Sequence, residues 1–396
     1  MQDIYDHIEA HLDEHLELLS NLVRQPSVSA QDMGFDKAPA LVRDVMRDVG
    51  LDAEVMPTPN EGHPSVLGRS MAGNGPTLLF YTHYDVQPAD PLELWESPPF
   101  EPQRRAGRIF GRGVSDDKGN IVARLAAIRA FREVRGGLPC NLKFFAEGEE
   151  EIGSPNLAGL VAERGEELMA DACIWEGGGR NSNGDPFIYL GLKGVLTVEL
   201  SVRRLSGDAH SSYATILPSA AWRLVHALGS MKDPDTDRCL VPGFYDDMRE
   251  PSREDLDALR RLPDESAEWR ETFGVDSFIG DLEGEELRVK HLLRPTANIN
   301  GIIGGYTGQG MKTVLPAEAS AKMDFRLVPD MRPDDVLCKL RAHLDAQGFD
   351  DVEVRMLAGV NPARTPIESP WTRLVAGTAR EIYGRDPVIA PTMAGT

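Results

Sequence analysis

Leu78-Leu79-Phe80-Tyr81-Thr82-His83-Tyr84-Asp85 is a mostly apolar run that ends on a histidine and an acid. A run of this kind reads as a strand buried on both faces, so the pattern predicts a strand over residues 77–82 with His83 at its carboxyl end. Two further segments follow the same plan. Leu142 to Ala146 leads into Glu149-Glu150-Glu151, and Ala172 to Trp175 leads into Glu176-Gly177. Between the first two lies Ser115-Asp116-Asp117-Lys118-Gly119, followed by a helical stripe of Ile121, Leu125, Ile128 and Phe131. Strands alternating with helices imply a largely parallel sheet, whose ligands lie beyond the carboxyl ends of the strands. All four polar clusters fall at that rim.

Upstream, Ile4, Ile8, Leu12, Leu16 and Leu19 recur at helical spacing and predict one amphipathic helix over residues 3–23. His7, His11 and His15 share one of its faces. No carboxylate is placed as in a His-Glu-x-x-His motif, so they read as an exposed face and not as a chelate. Past Gly194 the character changes. Val195 to Val202 alternates like a half-exposed strand, and Asp208-Ala209-His210-Ser211 follows. Further signals are a helix near 216–230, strands near 297–303 and 318–328, a helix at 333–347, a strand at 351–357, and a helical stripe of Trp371, Leu374, Val375, Ala379, Ile382 and Tyr383. The expected class is α/β: a mostly parallel mixed sheet with helices on both faces, plus an inserted, smaller α+β domain. The expected partition is 1–194, 195–365 and a return to the first domain over 366–396.

Composition narrows the function. The chain has 396 residues, 41% apolar and 27% charged, which is globular and too long for a single core. A net charge of −21 argues against nucleic-acid or anionic-membrane partners, which its field would repel. Residues 231–290 hold 18 Asp and Glu against 9 Lys and Arg, the mark of a solvated insertion. The four cysteines are scattered without CxxC spacing, no basic region followed by an apolar run opens the chain, and no stretch approaches the roughly 20 apolar residues of a membrane span. The expected location is cytoplasmic. Gly305 to Thr313 imitates a phosphate loop, but Met311 makes it one residue too long, and a flexible glycine loop is the reading.

Two divalent metals require carboxylates that bridge, a neutral histidine nitrogen, and a base for the metal-activated water. The rim offers each. His83 can donate a nitrogen, and Asp85, two residues on, can hold the other ring nitrogen. Helix capping accounts for one of Asp116 and Asp117 but not for both. Three adjacent glutamates after a buried strand repel one another, and bound cations are the usual relief. Each motif alone has an ordinary explanation; their order does not.

That order resembles the M20 family of metallopeptidases and deacylases, through Thr82-His83-Tyr84-Asp85-Val86-Gln87-Pro88, Gly111-Arg112-Gly113 through Asp116-Asp117-Lys118-Gly119, and Glu150-Glu151-Ile152-Gly153-Ser154. The resemblance implies two Zn2+ per subunit, with Co2+ or Mn2+ as substitutes. His83 and Glu176 would bind the first ion, Glu151 the second, and Asp116 would bridge both. Glu150 would be the general base, Asp85 would orient His83, and the Asp116-Asp117 peptide would be cis, a costly bond tolerated at functional sites. The second domain would be a dimerisation lid of a homodimer, whose His210 stabilises the oxyanion in the partner's site. Thr313 and Arg326 would hold a substrate carboxylate, a task suited to the arginine fork. The expected reaction is attack of a metal-bridging hydroxide on the amide of a dipeptide or N-acyl amino acid. Two cues disagree on which: glutamate at position 176 accompanies deacylases and carboxypeptidases, whereas the His83 to Pro88 motif leans to dipeptidases. The family's last ligand is a histidine beyond a segment like Ala394-Gly395-Thr396, so the chain is expected to be a fragment, and one truly ending there should hold the second metal poorly. The alternative is a non-catalytic dimer that binds amino acids or peptides.

Overall fold

In the computed structural model, which describes residues 1–395 apart from Ala72 and Ser182, the run that ends on His83 lies within a five-stranded sheet. Thr396, the last residue of the glycine-bearing terminal segment, is outside the described residues. The chain divides into two units, Met1–Gly177 and Gly178–Thr396.

The first unit runs α1 (Gln2–Ala10), α2 (Leu12–Arg24), α3 (Ala38–Asp48), β1 (Asp52–Met56), β2 (Ser65–Ser70), β3 (Thr77–His83), the small hairpin β4 (Gln103–Arg105) and β5 (Arg108–Phe110), α4 (Lys118–Arg135), β6 (Asn141–Glu147), α5 (Leu157–Leu168) and β7 (Ala172–Ile174). Its sheet has the order β1-β2-β6-β3-β7. The three strands read from the sequence, β6, β3 and β7, are parallel, while β1 and β2 add an antiparallel edge. Alternation in β6 explains the two-sided burial. Leu142, Phe144 and Ala146 enter a core with α2, α3 and α4, whereas Phe145 joins Met56, Leu67, Tyr81 and Leu160 of α5 in another. Helices therefore cover both faces, and each fully buried large side chain such as Phe144 or Leu125 contributes roughly 1.5–3 kcal/mol.

The single helix expected over residues 3–23 is two helices broken at His11, whose backbone has φ −109° and ψ 17°. The His11 ring competes for the helix's own acceptor: its Nδ1 lies 2.8 Å from the His7 carbonyl.

The second unit contains β8 (Gly179–Arg180), β9 (Pro186–Tyr189), β10 (Gly191–Leu192), β11 (Gly194–Arg203), β12 (Ala209–His210), α6 (Ala220–Gly229), α7 (Arg253–Arg261), α8 (Ser266–Phe273), α9 (Gly284–Leu293), β13 (Thr296–Gly304), β14 (Val314–Leu315), β15 (Glu318–Leu327), α10 (Pro333–Ala346), β16 (Glu353–Val360), β17 (Ala363–Arg364), α11 (Pro370–Tyr383) and β18 (Val388–Ala390). Its main sheet is antiparallel, in the order β13-β15-β11-β16. Leu196, Val198, Leu200 and Val202 of β11 point with Phe325 and Met323 of β15 into a core shared with Leu224 of α6 and Leu340 of α10. A smaller sheet pairs β9 in parallel with β18. The acidic stretch folds as α7, α8 and α9, with the capping box of Ser252 and Asp255 starting α7. Among the described residues no helix is long and apolar enough to cross a membrane.

Candidate metal centre

His83, the last residue of β3, is almost wholly buried. Its Nδ1 donates to the Asp85 main-chain carbonyl at 3.0 Å, with the Asp85 carboxylate 3.4 Å away. A ring held this way presents Nε2 to the rim. Around Nε2 stand Asp116 Oδ1 at 2.8 Å, Glu176 Oε2 at 3.6 Å and Glu150 Oε2 at 3.9 Å.

Asp116 arrives from the turn before α4, and its peptide bond to Asp117 is cis, as the resemblance implied. The two aspartates part company. Asp116 is exposed toward His83, whereas Asp117 is buried and accepts hydrogen bonds from Thr82 and Asn120 side chains. The glutamate triplet divides as well. Glu149 turns inward, taking the His63 N–H at 2.9 Å and the Asn156 amide at 3.1 Å. Glu150 and Glu151 open a short 3-10 turn that Gly153 ends at φ 83°. Both of their N–H groups donate to the Asp85 carboxylate, at 3.2 and 3.0 Å, and Gln87 donates to Glu151 Oε2 at 2.8 Å.

Burial and mutual repulsion dominate the electrostatics. Burial pushes the Glu176 carboxyl up to about 8, with Glu150, Asp117 and Asp116 adding to the effect. Glu150 and Glu151 are also raised, by burial first and by neighbouring carboxylates after it. Burial opposes charge on His83, but its hydrogen bonds to Asp116 and Asp85 and the field of Glu176 prevail and push it up to about 12. Glu176 Oε2 is buried with no hydrogen-bond partner. A bare protein gains little from gathering so many acids round one imidazole; a divalent cation satisfies all of them at once. Two overlapping donor sets fit one: His83, Asp116 and Glu151, and His83, Asp117 and Glu176, with the ligand atoms of each set within 4.8 Å of one another. The second set includes Asp117, which sequence reasoning left without a role.

Other supports were missed. Tyr81 donates to Glu147 at 2.7 Å and stacks on Trp175, the residue before Glu176, with ring centroids 3.7 Å apart. Arg124 of α4 donates to the carbonyls of Tyr81 at 2.5 Å and Trp175 at 2.8 Å, tying the end of β3 to the exit of β7. An acid continuing a buried strand at Glu147 and an arginine beside Leu125 in a buried helical stripe were the available signals.

In the second unit, pairing of β12 with β14 brings His210 and Thr313 together. Ser212 N–H donates to His210 Nδ1 at 3.2 Å, so Nε2 carries the proton and faces Thr313 Oγ1 at 3.2 Å. Arg326 lies on β15, 3.5 Å from Asp324, and its guanidinium is beside Gly395.

Sheet, rim and donor set together define an α/β metal-dependent hydrolase. The chain belongs to peptidase family M20/M25/M40, whose model matches residues 79–396. It is 30% identical over 417 residues to a beta-Ala-His dipeptidase of Rattus norvegicus, covering 98% of this chain and 83% of the relative. It is 31% identical over 372 residues to a Cys-Gly metallodipeptidase of Schizosaccharomyces pombe, covering 87% and 75%. An M20 family metallo-carboxypeptidase of Sulfolobus solfataricus superposes with a TM-score of 0.89 at 36% identity, covering 97% of this chain and 86% of that one. Membership makes the chain a metallopeptidase-type enzyme that takes a divalent metal.

Proposed function

We propose that the protein hydrolyses the amide bond of dipeptides bearing a free carboxylate. The observation that supports this most is the convergence of Asp116, Glu176 and Glu150 within 4 Å of His83 Nε2, on the rim expected to receive substrate. His83 and Glu176 would hold one zinc ion, Glu151 a second, and Asp116 would bridge them; when bound, such ions acidify a water and polarise a carbonyl. Glu150, whose Oε2 lies 3.9 Å from His83 Nε2, would be the base that accepts a proton from the water and returns it to the leaving nitrogen. Asp85 keeps the His83 ring and the Glu150-Glu151 turn in register. His210, with its proton on Nε2, acts in a partner subunit as the oxyanion donor, and Thr313 and Arg326 receive the substrate carboxylate.

The dipeptidase names of the rat and fission-yeast relatives support dipeptides over N-acyl amino acids. A homodimer through the second unit is favoured by β13, an edge strand whose Ile302 and Ile303 are exposed. The partition at 194/195 and 365/366 is also proposed. Its support is the β9–β18 pairing, which sets residues 187–189, before the proposed boundary at 194, beside residues 388–390, after the one at 365.

The test is turnover of a panel of dipeptides and N-acyl amino acids by protein loaded with zinc, manganese or cobalt. Cleavage of dipeptides is expected; cleavage of N-acyl amino acids alone would move the protein to the deacylases, and cleavage of neither would refute the hydrolase reading.

A further inference from the structure

The last turn of α1, the helix break after it and the last turn of α4 hold a second set of donors that the reaction does not use. His7 and His11 stack with ring centroids 4.2 Å apart, and His7 Nε2 lies 2.8 Å from Glu133 Oε2. One nitrogen of each ring and one Glu133 oxygen lie within 4.8 Å of one another. Glu133 stands 15 residues beyond Lys118 on the same helix, which places it about 22 Å from the catalytic end of α4.

Two of the three donors are already oriented by a second partner. His11 Nδ1 donates to the His7 carbonyl at 2.8 Å, which leaves the lone pair on Nε2. Arg129 holds the other Glu133 oxygen, Oε1, at 2.8 Å and also pairs with Glu14, so it fixes the carboxylate without covering Oε2. His7 Nδ1 is buried with no hydrogen-bond partner. The sequence offered two histidines four residues apart and no third ligand; the fold supplies the third from a helix 126 residues away.

From this geometry we propose a surface site for a divalent transition cation, formed by His7, His11 and Glu133, that clasps α1 to the end of α4. Two imidazoles and one carboxylate suit zinc, nickel or copper and not magnesium or calcium. The site is independent of the catalytic centre and of the reaction proposed for it.

The test is equilibrium dialysis of the full chain against Zn2+ and, separately, Ni2+, with ions counted by elemental analysis in wild type, His11→Gln and Glu133→Gln. Wild type should bind one ion more than either variant, while all three keep the same dipeptide turnover. Metal should also slow amide exchange of α1 at least tenfold in wild type alone. Because Glu133 is exposed, its variant decides the matter even where His11→Gln disturbs the helix break. Equal ion counts in wild type and Glu133→Gln would overturn the proposal, as would loss of an ion accompanied by loss of turnover, since the ion would then belong to the catalytic centre.

Discussion

The Asp85 carboxylate accepts the main-chain N–H of Glu151 at 3.0 Å, and its second oxygen accepts that of Glu150 at 3.2 Å. The Asp85 carbonyl meanwhile accepts a hydrogen bond from His83 Nδ1. One buried residue thus sets both the strand end that presents the imidazole and the turn that presents two glutamates.

Asp85→Asn keeps the shape but turns an NH2 toward one of those N–H groups. A buried donor left unmet costs about 1–3 kcal/mol, and supports of this kind are worth about 10–100-fold in metal affinity. Competition with a chelating dye should show zinc affinity falling by that factor. Unchanged affinity would mean that the glutamate turn holds its place without Asp85.

Glu147 provides a pH test. Burial pushes its carboxyl up to about 7 from an ordinary 4.5. An acid raised in the folded state binds more protons there than when unfolded, so its stabilisation is complete below the unfolded value and is lost as pH rises through the folded one. In the metal-free protein Glu147 should account for a loss of stability between pH 4.5 and 7 of about 3 kcal/mol at most, beside the loss from the other raised carboxyls. Glu147→Gln cannot ionise and should make that slope shallower in thermal melts; equal slopes would contradict the assignment.

Arg124→Lys removes the fork that bonds the Tyr81 and Trp175 carbonyls together. A loss of about 1–3 kcal/mol in denaturant unfolding is expected, with weaker zinc retention because Trp175 precedes Glu176.

His210→Asn should lower kcat about 10²–10³-fold, the usual cost of losing one oxyanion donor, while metal content stays at the wild-type level. A change in metal content would place His210 in a different role.

Much of this centre was legible because its residues sit where apolar runs stop. His83 ends β3, Glu176 follows β7, and Asp116 precedes α4, so strand and helix periodicity set them at the sheet rim, while their roles came from the order of the motifs and the resemblance it carries. The roles inside each cluster were less legible, since they depend on which way a turn faces. Nothing in Glu149-Glu150-Glu151 says that the first turns in to His63, and nothing in Asp116-Asp117 says that the second is buried against Thr82. Contacts between distant segments, Tyr81 with Glu147, Arg124 with Trp175 and His7 with Glu133, left no periodic trace at all. The antiparallel edge of β1 and β2 escaped for a related reason, because each strand is short and only partly apolar.

The most direct test of the account is Glu150→Gln, assayed for dipeptide turnover and for bound metal in the same preparation. The amide cannot take a proton, while the groups assigned as ligands are untouched, so turnover should fall at least a hundredfold with metal content equal to wild type. Loss of metal along with activity would make Glu150 a ligand, and retained turnover would remove it from the reaction.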